Sequence, residues 1–363
     1  MVTVLKILFL LYTGMAELFL ILMSNFGVDF GVHPLLRLLM FISIIGLPLY
    51  FLNFIIASIL SFTIFTITHY LGNKTPEGEL SPQEKKVYII TGVSENGIGY
   101  FMAQKVLKLG ATVILACRNV KKTQELIPNL IKETNNKNIH VLELDCSSMK
   151  SIGSFVKEFK SKFDTLDVLI NNAGVNTINK TSEDGFELIT AINYLSVYSL
   201  SILLLDMLKK SNGRIITTSS EAQGYVFDTN FDDWKTDITD SYGRSKLYVN
   251  MFTKELQNRL NSEGSKVSVF SFHPGVVFTE IWGKLFPKLI QILFLNYFWL
   301  RMRTPEEGAS CGVFLSTNEN VTENGGEYFN RNKIFPVNQL AEDEKLRKEL
   351  WNKTKKIHEK YFQ

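Results

Sequence analysis

The chain has 363 residues, 45% of them hydrophobic, and a formal net charge of +3. That length exceeds one average domain and suits one large α/β domain plus an extension. A near-neutral balance gives no electrostatic case for a nucleic-acid partner, and three scattered cysteines without a CxxC read as reduced, mostly buried thiols in a part that faces the cytosol.

Leu5 to Phe26 is almost wholly apolar, broken by Lys6 and Glu17, and after a loop with Asp29, Pro34 and Arg37 no charged residue follows until Lys74. A membrane span needs about 20 apolar residues, and the second run is longer than that. It fits one long tilted helix or a re-entrant pair bent at Pro48. A cleaved signal peptide is the rival for the first segment, but no A-x-A site follows Ala16, and the second run would still anchor the chain. Residues 1–71 therefore read as a membrane anchor of one to three spans. A thin Lys/Arg bias (Lys6 before; Lys74, Lys85 and Lys86 after) leans toward both ends in the cytosol. Residues 72–84, with Pro76, Gly78 and Pro82, read as a linker, and four N-x-S/T sequons (Asn73, Asn179, Asn320, Asn352) carry no weight in so Asn-rich a chain.

Val87-Tyr-Ile-Ile90 has a buried-strand pattern. It leads into Thr91-Gly-Val-Ser-Glu-Asn-Gly-Ile-Gly99 and a helical run from Tyr100 to Leu109. Strand, glycine-rich turn and helix form the unit that brings backbone N–H groups and a helix N-terminus to a pyrophosphate. The next strand, Thr112 to Leu115, ends in Ala116-Cys-Arg-Asn119. A carboxylate after this strand would take a ribose 2′-OH, whereas a cation favours a 2′-phosphate. Arg118, followed by Lys121 and Lys122, favours NADP(H) over NAD(H), with a solvated basic face as the bland alternative. Strands at His140–Leu144 and Leu166–Ile170 end in Asp145 and in Asn171-Asn-Ala-Gly174, with helical patterns at 120–133 and 148–163 between them. This alternation predicts a doubly wound parallel sheet, Rossmann-like, with ligands at its carboxyl ends.

Tyr242 and Lys246 stand four apart in a segment that continues as a helix, so both project from one face. A phenol with an ordinary pKa of about 10 is a poor acid at neutral pH. An ammonium one turn away would favour the phenolate and make the pair a general acid/base for a carbonyl oxygen.

In this order the residues resemble the short-chain dehydrogenase/reductase superfamily over 85–363. The match runs through the Thr-Gly…Gly-x-Gly loop, Asp145, Asn171-Asn-Ala-Gly174, Asn193, a strand ending in Ser219-Ser220, the Tyr242/Lys246 pair and His273-Pro-Gly-Val-Val-Phe-Thr279. Ala-Cys-Arg, Asn230-Phe-Asp-Asp-Trp234 and Thr304-Pro-Glu-Glu-Gly-Ala309 are similar to the retinol-dehydrogenase-like, membrane-anchored branch. The resemblance implies that Tyr242 exchanges the proton and that Lys246 lowers its pKa and binds the nicotinamide ribose. It implies that Ser220 (Ser219 is the lesser candidate) holds the substrate oxygen and that Asn193 positions a water. For the cofactor it implies Gly92, Gly97, Ile98 and Gly99 on the phosphates, Arg118 and Asp145 on the adenosine, and Asn171 and Ala173 along the cleft, with Asn171 also supporting the central strand. Pro274, Gly275 and Thr279 would close over the carboxamide, with His273 read as strand-end packing. No metal site is implied.

One departure is that four residues, Val93 to Asn96, intervene where the family loop usually has three, and Asn96 stands where a basic residue often favours NADP(H). The resemblance implies that residues 280–303 lid the substrate pocket; apolar and aromatic with flanking Lys and Arg, they suit a helix lying at the membrane interface, with a lid packed on its own domain as the alternative. The tail from Leu340 to Gln363 reads as a charged helix packing Leu346, Leu350 and Trp351. The expectation is a membrane-anchored NADP(H)-dependent oxidoreductase of a lipophilic alcohol and its aldehyde or ketone, retinoid-like or polyprenoid before steroid. Family habit adds the endoplasmic reticulum and a homodimer. The rival is a catalytically inert, anchored nucleotide-binding scaffold.

Overall fold

The computed structural model describes residues 62–64, 78–177, 180–229, 231, 234, 241–277 and 303–362. The expected anchor (apart from 62–64), Thr279 and the expected lid (apart from Arg303) lie outside the described residues. The chain divides into two compact units, Met1–Lys74 with Trp282–Arg303, and Thr75–Ile281 with Thr304–Gln363. The second unit carries the sheet and every site residue discussed below.

Eight strands form one sheet: β1 (Val87–Thr91), β2 (Thr112–Cys117), β3 (Ile139–Glu143), β4 (Val168–Asn171), β5 (Arg214–Thr218), β6 (Ser268–His273), β7 (Tyr328–Asn330) and β8 (Lys333–Ile334). Their order is β3-β2-β1-β4-β5-β6-β7-β8. The first seven run parallel, and β8 returns antiparallel to β7. The chain reverses direction across the sheet between β1 and β4, and this switch point opens the crevice where such sheets bind ligands.

The strands read as continuous apolar runs because both faces are covered. Alternation then divides each run between two cores. Ile89, Ile114, Leu169, Ile215 and Val269 face one side, while Ile90, Leu115, Ile170, Ile216 and Phe270 face the other. The second side is covered by α1 (Ile98–Lys108), α2 (Ile127–Thr134) and α6 (Pro305–Thr317). The first is covered by α3 (Met149–Lys162), α4 (Leu188–Leu203), α5 (Ser241–Ser262) and α7 (Glu344–Tyr361). Each fully buried aliphatic or Phe side chain contributes about 1.5–3 kcal/mol.

Two helical expectations are refined. The pattern over 120–133 divides into Val120–Gln124 and α2, because Pro128 in the first turn of α2 lacks the N–H that a continuous helix requires. The tail breaks at Asp343, whose carboxylate caps the N–H groups of Lys345 and Leu346 and so starts α7 afresh. Leu350 is buried, and Trp351 stacks on Phe252 of α5 beneath the Arg259 guanidinium. The tail thus packs on its own domain. Among the described residues, no single helix is long and apolar enough to cross a membrane.

Candidate active site

The glycine turn leaves β1 through Gly92 at φ +70, a left-handed conformation that a side chain resists. A Cβ there would stand 2.6 Å from Ala173 Cα, and one on Gly99 would stand 2.9 Å from the Gly92 oxygen. The turn is therefore pressed flat against the end of β4 and against α1. The additional residue does not disturb this contact. Gly97 N donates to Ser94 O at 2.9 Å, which closes a tight turn with Asn96 in the left-handed region (φ +54), and Ser94, Glu95 and Asn96 are exposed. The insertion is absorbed outward, and α1 still starts at Ile98, with no side-chain cap on its N-terminus at Gly97.

Thr91 and Asn172 hold this cradle. The Thr91 hydroxyl accepts from the N–H groups of Asn172 and Ala173, both at 3.0 Å. The Asn172 amide donates to the oxygens of Thr91 and Gly92 at 3.0 and 3.1 Å. Asn171, expected along the cleft, is buried on the opposite side and donates to Ser201 Oγ at 3.3 Å. Strand alternation separates these neighbours, so that the first supports the sheet and the second supports the loop.

At the adenosine end, Arg118 is exposed just beyond β2. Asp145 follows β3 by two residues, and its Oδ1 accepts from the N–H and hydroxyl of Ser147 at 2.8 and 2.6 Å. A flat glycine turn, a helix N-terminus and a carboxylate two strands away fit a dinucleotide. When bound, its nicotinamide supplies or accepts a hydride.

The remaining residues converge beyond β4 and β5. Ser220 follows β5, and its Oγ accepts the Ala222 N–H at 3.2 Å. Tyr242 lies in the first turn of α5, with the Ser220 hydroxyl beside it. Burial pushes the Tyr242 phenol above its ordinary pKa, and the Ser220 hydrogen bond opposes that rise. This corrects the expectation that Lys246 lowers the phenol. The Lys246 ammonium stands 5.6 Å from the Tyr242 ring centre and donates instead to Thr218 O at 2.8 Å. Its own pKa falls to about 8 through burial.

Asn193 sits in a π-turn, Ala191–Leu195, within α4, a local widening that recurs at functional sites. Its Oδ1 accepts from Val175 N at 2.8 Å, and its Nδ2 donates to Val175 O and to Ser245 Oγ, both at 3.0 Å. Ser245 in turn donates to Tyr242 O at 2.7 Å. A Cβ on Gly174 would lie 3.4 Å from Asn193 Oδ1 and 3.5 Å from Lys246 Nζ, so both side chains crowd one glycine. Ser219 is fully buried and donates to Lys246 O at 3.2 Å; it braces α5, and Ser220 is the serine that faces the tyrosine. Pro274 and Gly275 follow β6, with Gly275 at φ +88.

A dinucleotide cradle whose open end meets a phenol, with a hydroxyl beside it to share a substrate oxygen, defines the class: a nicotinamide-nucleotide oxidoreductase. The short chain dehydrogenase family model matches residues 86–289. A human (Homo sapiens) polyprenol dehydrogenase is 36% identical over 75% of this chain and 85% of its own length. A mouse (Mus musculus) retinol dehydrogenase 13 is 33% identical over 84% of this chain and 92% of its own. In fold, the chain is similar to a short-chain type dehydrogenase/reductase from Mycobacterium marinum, at TM-score 0.56 and 21% identity, covering 68% of this chain and 94% of that one. The chain belongs to the short-chain dehydrogenase family, in its retinol-dehydrogenase-like branch, and is an NAD(P)-dependent oxidoreductase acting on alcohols.

Proposed function

We propose that this protein is a membrane-anchored, NADP(H)-dependent oxidoreductase that interconverts a lipophilic alcohol and its aldehyde or ketone, with retinoid-like or polyprenoid substrates before steroids. The observation that carries the reading is the meeting of Tyr242, Ser220 and Lys246 beyond the glycine cradle, with the Lys246 ammonium 5.6 Å from the Tyr242 ring centre. In the reducing direction the Tyr242 phenol gives its proton to the carbonyl oxygen as the carbonyl carbon gains a hydride, and Ser220 holds that oxygen. Lys246 presents a buried cation near the phenol and the ribose, and Asn193 fixes the Val175 backbone and Ser245 around it. Burial keeps the phenol protonated at neutral pH, which supports carbonyl reduction as the easier direction.

Arg118 supports the phosphorylated cofactor. The two dehydrogenases named above, with their polyprenol and retinol substrates, support a lipophilic substrate class. The apolar residues 1–71 support anchoring, with the catalytic domain on the cytosolic face of the endoplasmic reticulum and a homodimer as the assembly. An interfacial lid over 280–303 would admit substrate from the bilayer. Phe294→Ser with Trp299→Ser should then raise KM for long-chain substrates far more than for short soluble ones, whereas equal effects would count against that route. An inert scaffold drew its support from the lengthened glycine loop, and the outward turn at Ser94–Gly97 removes that support. The test of the chemistry is aldehyde-dependent NADPH oxidation that disappears in Tyr242→Phe. Its persistence in that variant would refute the assignment.

A further inference from the structure

A buried acid–imidazole contact lies directly behind the reacting groups. Glu221 Oε2 stands 3.5 Å from His273 Nε2, and the two residues are 7% and 4% exposed. Removing a carboxylate from water costs several kcal/mol unless it is paired, so packing alone does not account for a glutamate at this position. The charge of Glu221 also helps to raise the phenols of Tyr225, in the same 3₁₀ turn, and of Tyr328 in β7.

The chain positions of the two partners give the contact its meaning. Glu221 follows Ser220 directly and opens the 3₁₀ turn Glu221–Tyr225, in which the Ala222 N–H donates to the Ser220 Oγ. His273 directly precedes Pro274 and the left-handed Gly275. One side-chain contact thus ties the turn carrying the substrate-facing serine to the turn expected to close over the nicotinamide. A backbone bond from Ser219 N to Phe272 O at 2.7 Å joins the same two strands one residue earlier. Beyond it, no strand pairing between β5 and β6 continues.

Building on the oxidoreductase reading above, we propose that Glu221 and His273 form a positioning pair that sets the distance between the Ser220 hydroxyl and the Pro274–Gly275 turn. The pair touches neither substrate nor cofactor and acts through those two elements. A misplacement of about 1 Å at a reacting centre lowers turnover by as much as about 100-fold, so the pair governs kcat more than cofactor KM.

The test uses the full chain in membranes, with Glu221→Leu, His273→Leu, the double variant, Glu221→Gln and Glu221→Asp. Each leucine variant should lower kcat by about tenfold or more with a smaller rise in cofactor KM, and the double variant should be no slower than the worse single. Gln, which keeps the reach and a polar head facing the imidazole, should recover most of the rate, and Asp, one methylene short, should not. Gln and Asp carry the test by themselves if the leucine variants do not accumulate. Multiplying losses, native rates in Glu221→Leu, or Gln as slow as Leu or Asp would overturn the pair. Binding of NADPH relative to 2′,5′-ADP, which lacks the nicotinamide, provides a readout independent of turnover. The native preference for NADPH should shrink toward equality in Glu221→Asp, and an unchanged preference contradicts the proposal. A native protein that binds both but turns nothing over would sink the proposed activity and leave this test of the pair intact.

Discussion

The Lys246 ammonium donates to the main-chain oxygen of Thr218 at 2.8 Å with only 4% of the residue exposed. Burial lowers its pKa from 10.5 to about 8. Between roughly pH 8 and 10.5 the unfolded chain therefore binds more protons at this site, and stability rises with pH across that window. The full effect is about 3 kcal/mol, at roughly 1.4 kcal/mol per pH unit. Lys246→Met lacks this dependence. In thermal unfolding the native protein should gain on the variant between pH 7.5 and 10, and a pH-independent difference would contradict the assignment.

The raised phenol of Tyr242 gives the two reaction directions different pH profiles. Reduction uses the protonated form and should stay level through neutrality. Alcohol oxidation needs the phenolate and should climb as pH rises above neutral. Tyr242→Phe should lower kcat by about 10²–10⁴-fold in both directions, with cofactor affinity retained. Steady-state rates over pH 6 to 10 check both statements.

Two changes in the glycine turn should differ sharply. Gly92→Ala places a Cβ 2.6 Å from Ala173 Cα at φ +70. Left-handed backbone costs about 1–2 kcal/mol and overpacking about 1–3 kcal/mol, so both the melting temperature and cofactor binding should drop. Deleting Glu95 shortens only the exposed turn between Ser94 and Gly97. That variant should fold and bind NADPH within a few-fold of the native protein, as measured by fluorescence titration.

Arg118→Glu replaces the exposed cation beyond β2 with the charge suited to an unphosphorylated ribose. Hydrogen bonds to charged groups contribute about 1.5–3 kcal/mol, so KM for NADPH should rise by about 10- to 100-fold while KM for NADH holds or falls. An unchanged ratio would mean that Arg118 belongs to a solvated face.

Much of this was legible in the chain because the chemistry relies on local spacing. Tyr242 and Lys246 need only one helical turn, and the glycine turn needs only its place between β1 and α1. Groups defined by long-range contact were not legible. Asn171 and Asn172 are equivalent in sequence, and only the alternation of β4 sends one under the sheet and the other to the Gly92 oxygen. Ser245, one residue before Lys246, gains its role from Asn193 on another helix. His273 reads as strand-end packing until the fold brings Glu221 to it, 52 positions away by their numbering. Spacing likewise gives only the proximity of Lys246 to Tyr242, whereas burial and the Thr218 carbonyl decide where the ammonium points.

The measurement that tests the central claim most directly is NADPH consumption by membranes carrying the full-length protein, supplied in turn with retinaldehyde, a polyprenal and a ketosteroid, with NADH and Tyr242→Phe alongside. Tyr242-dependent turnover of retinaldehyde or the polyprenal, faster with NADPH than with NADH, is the predicted result. Cofactor binding without turnover of any of the three, in either direction, would contradict it.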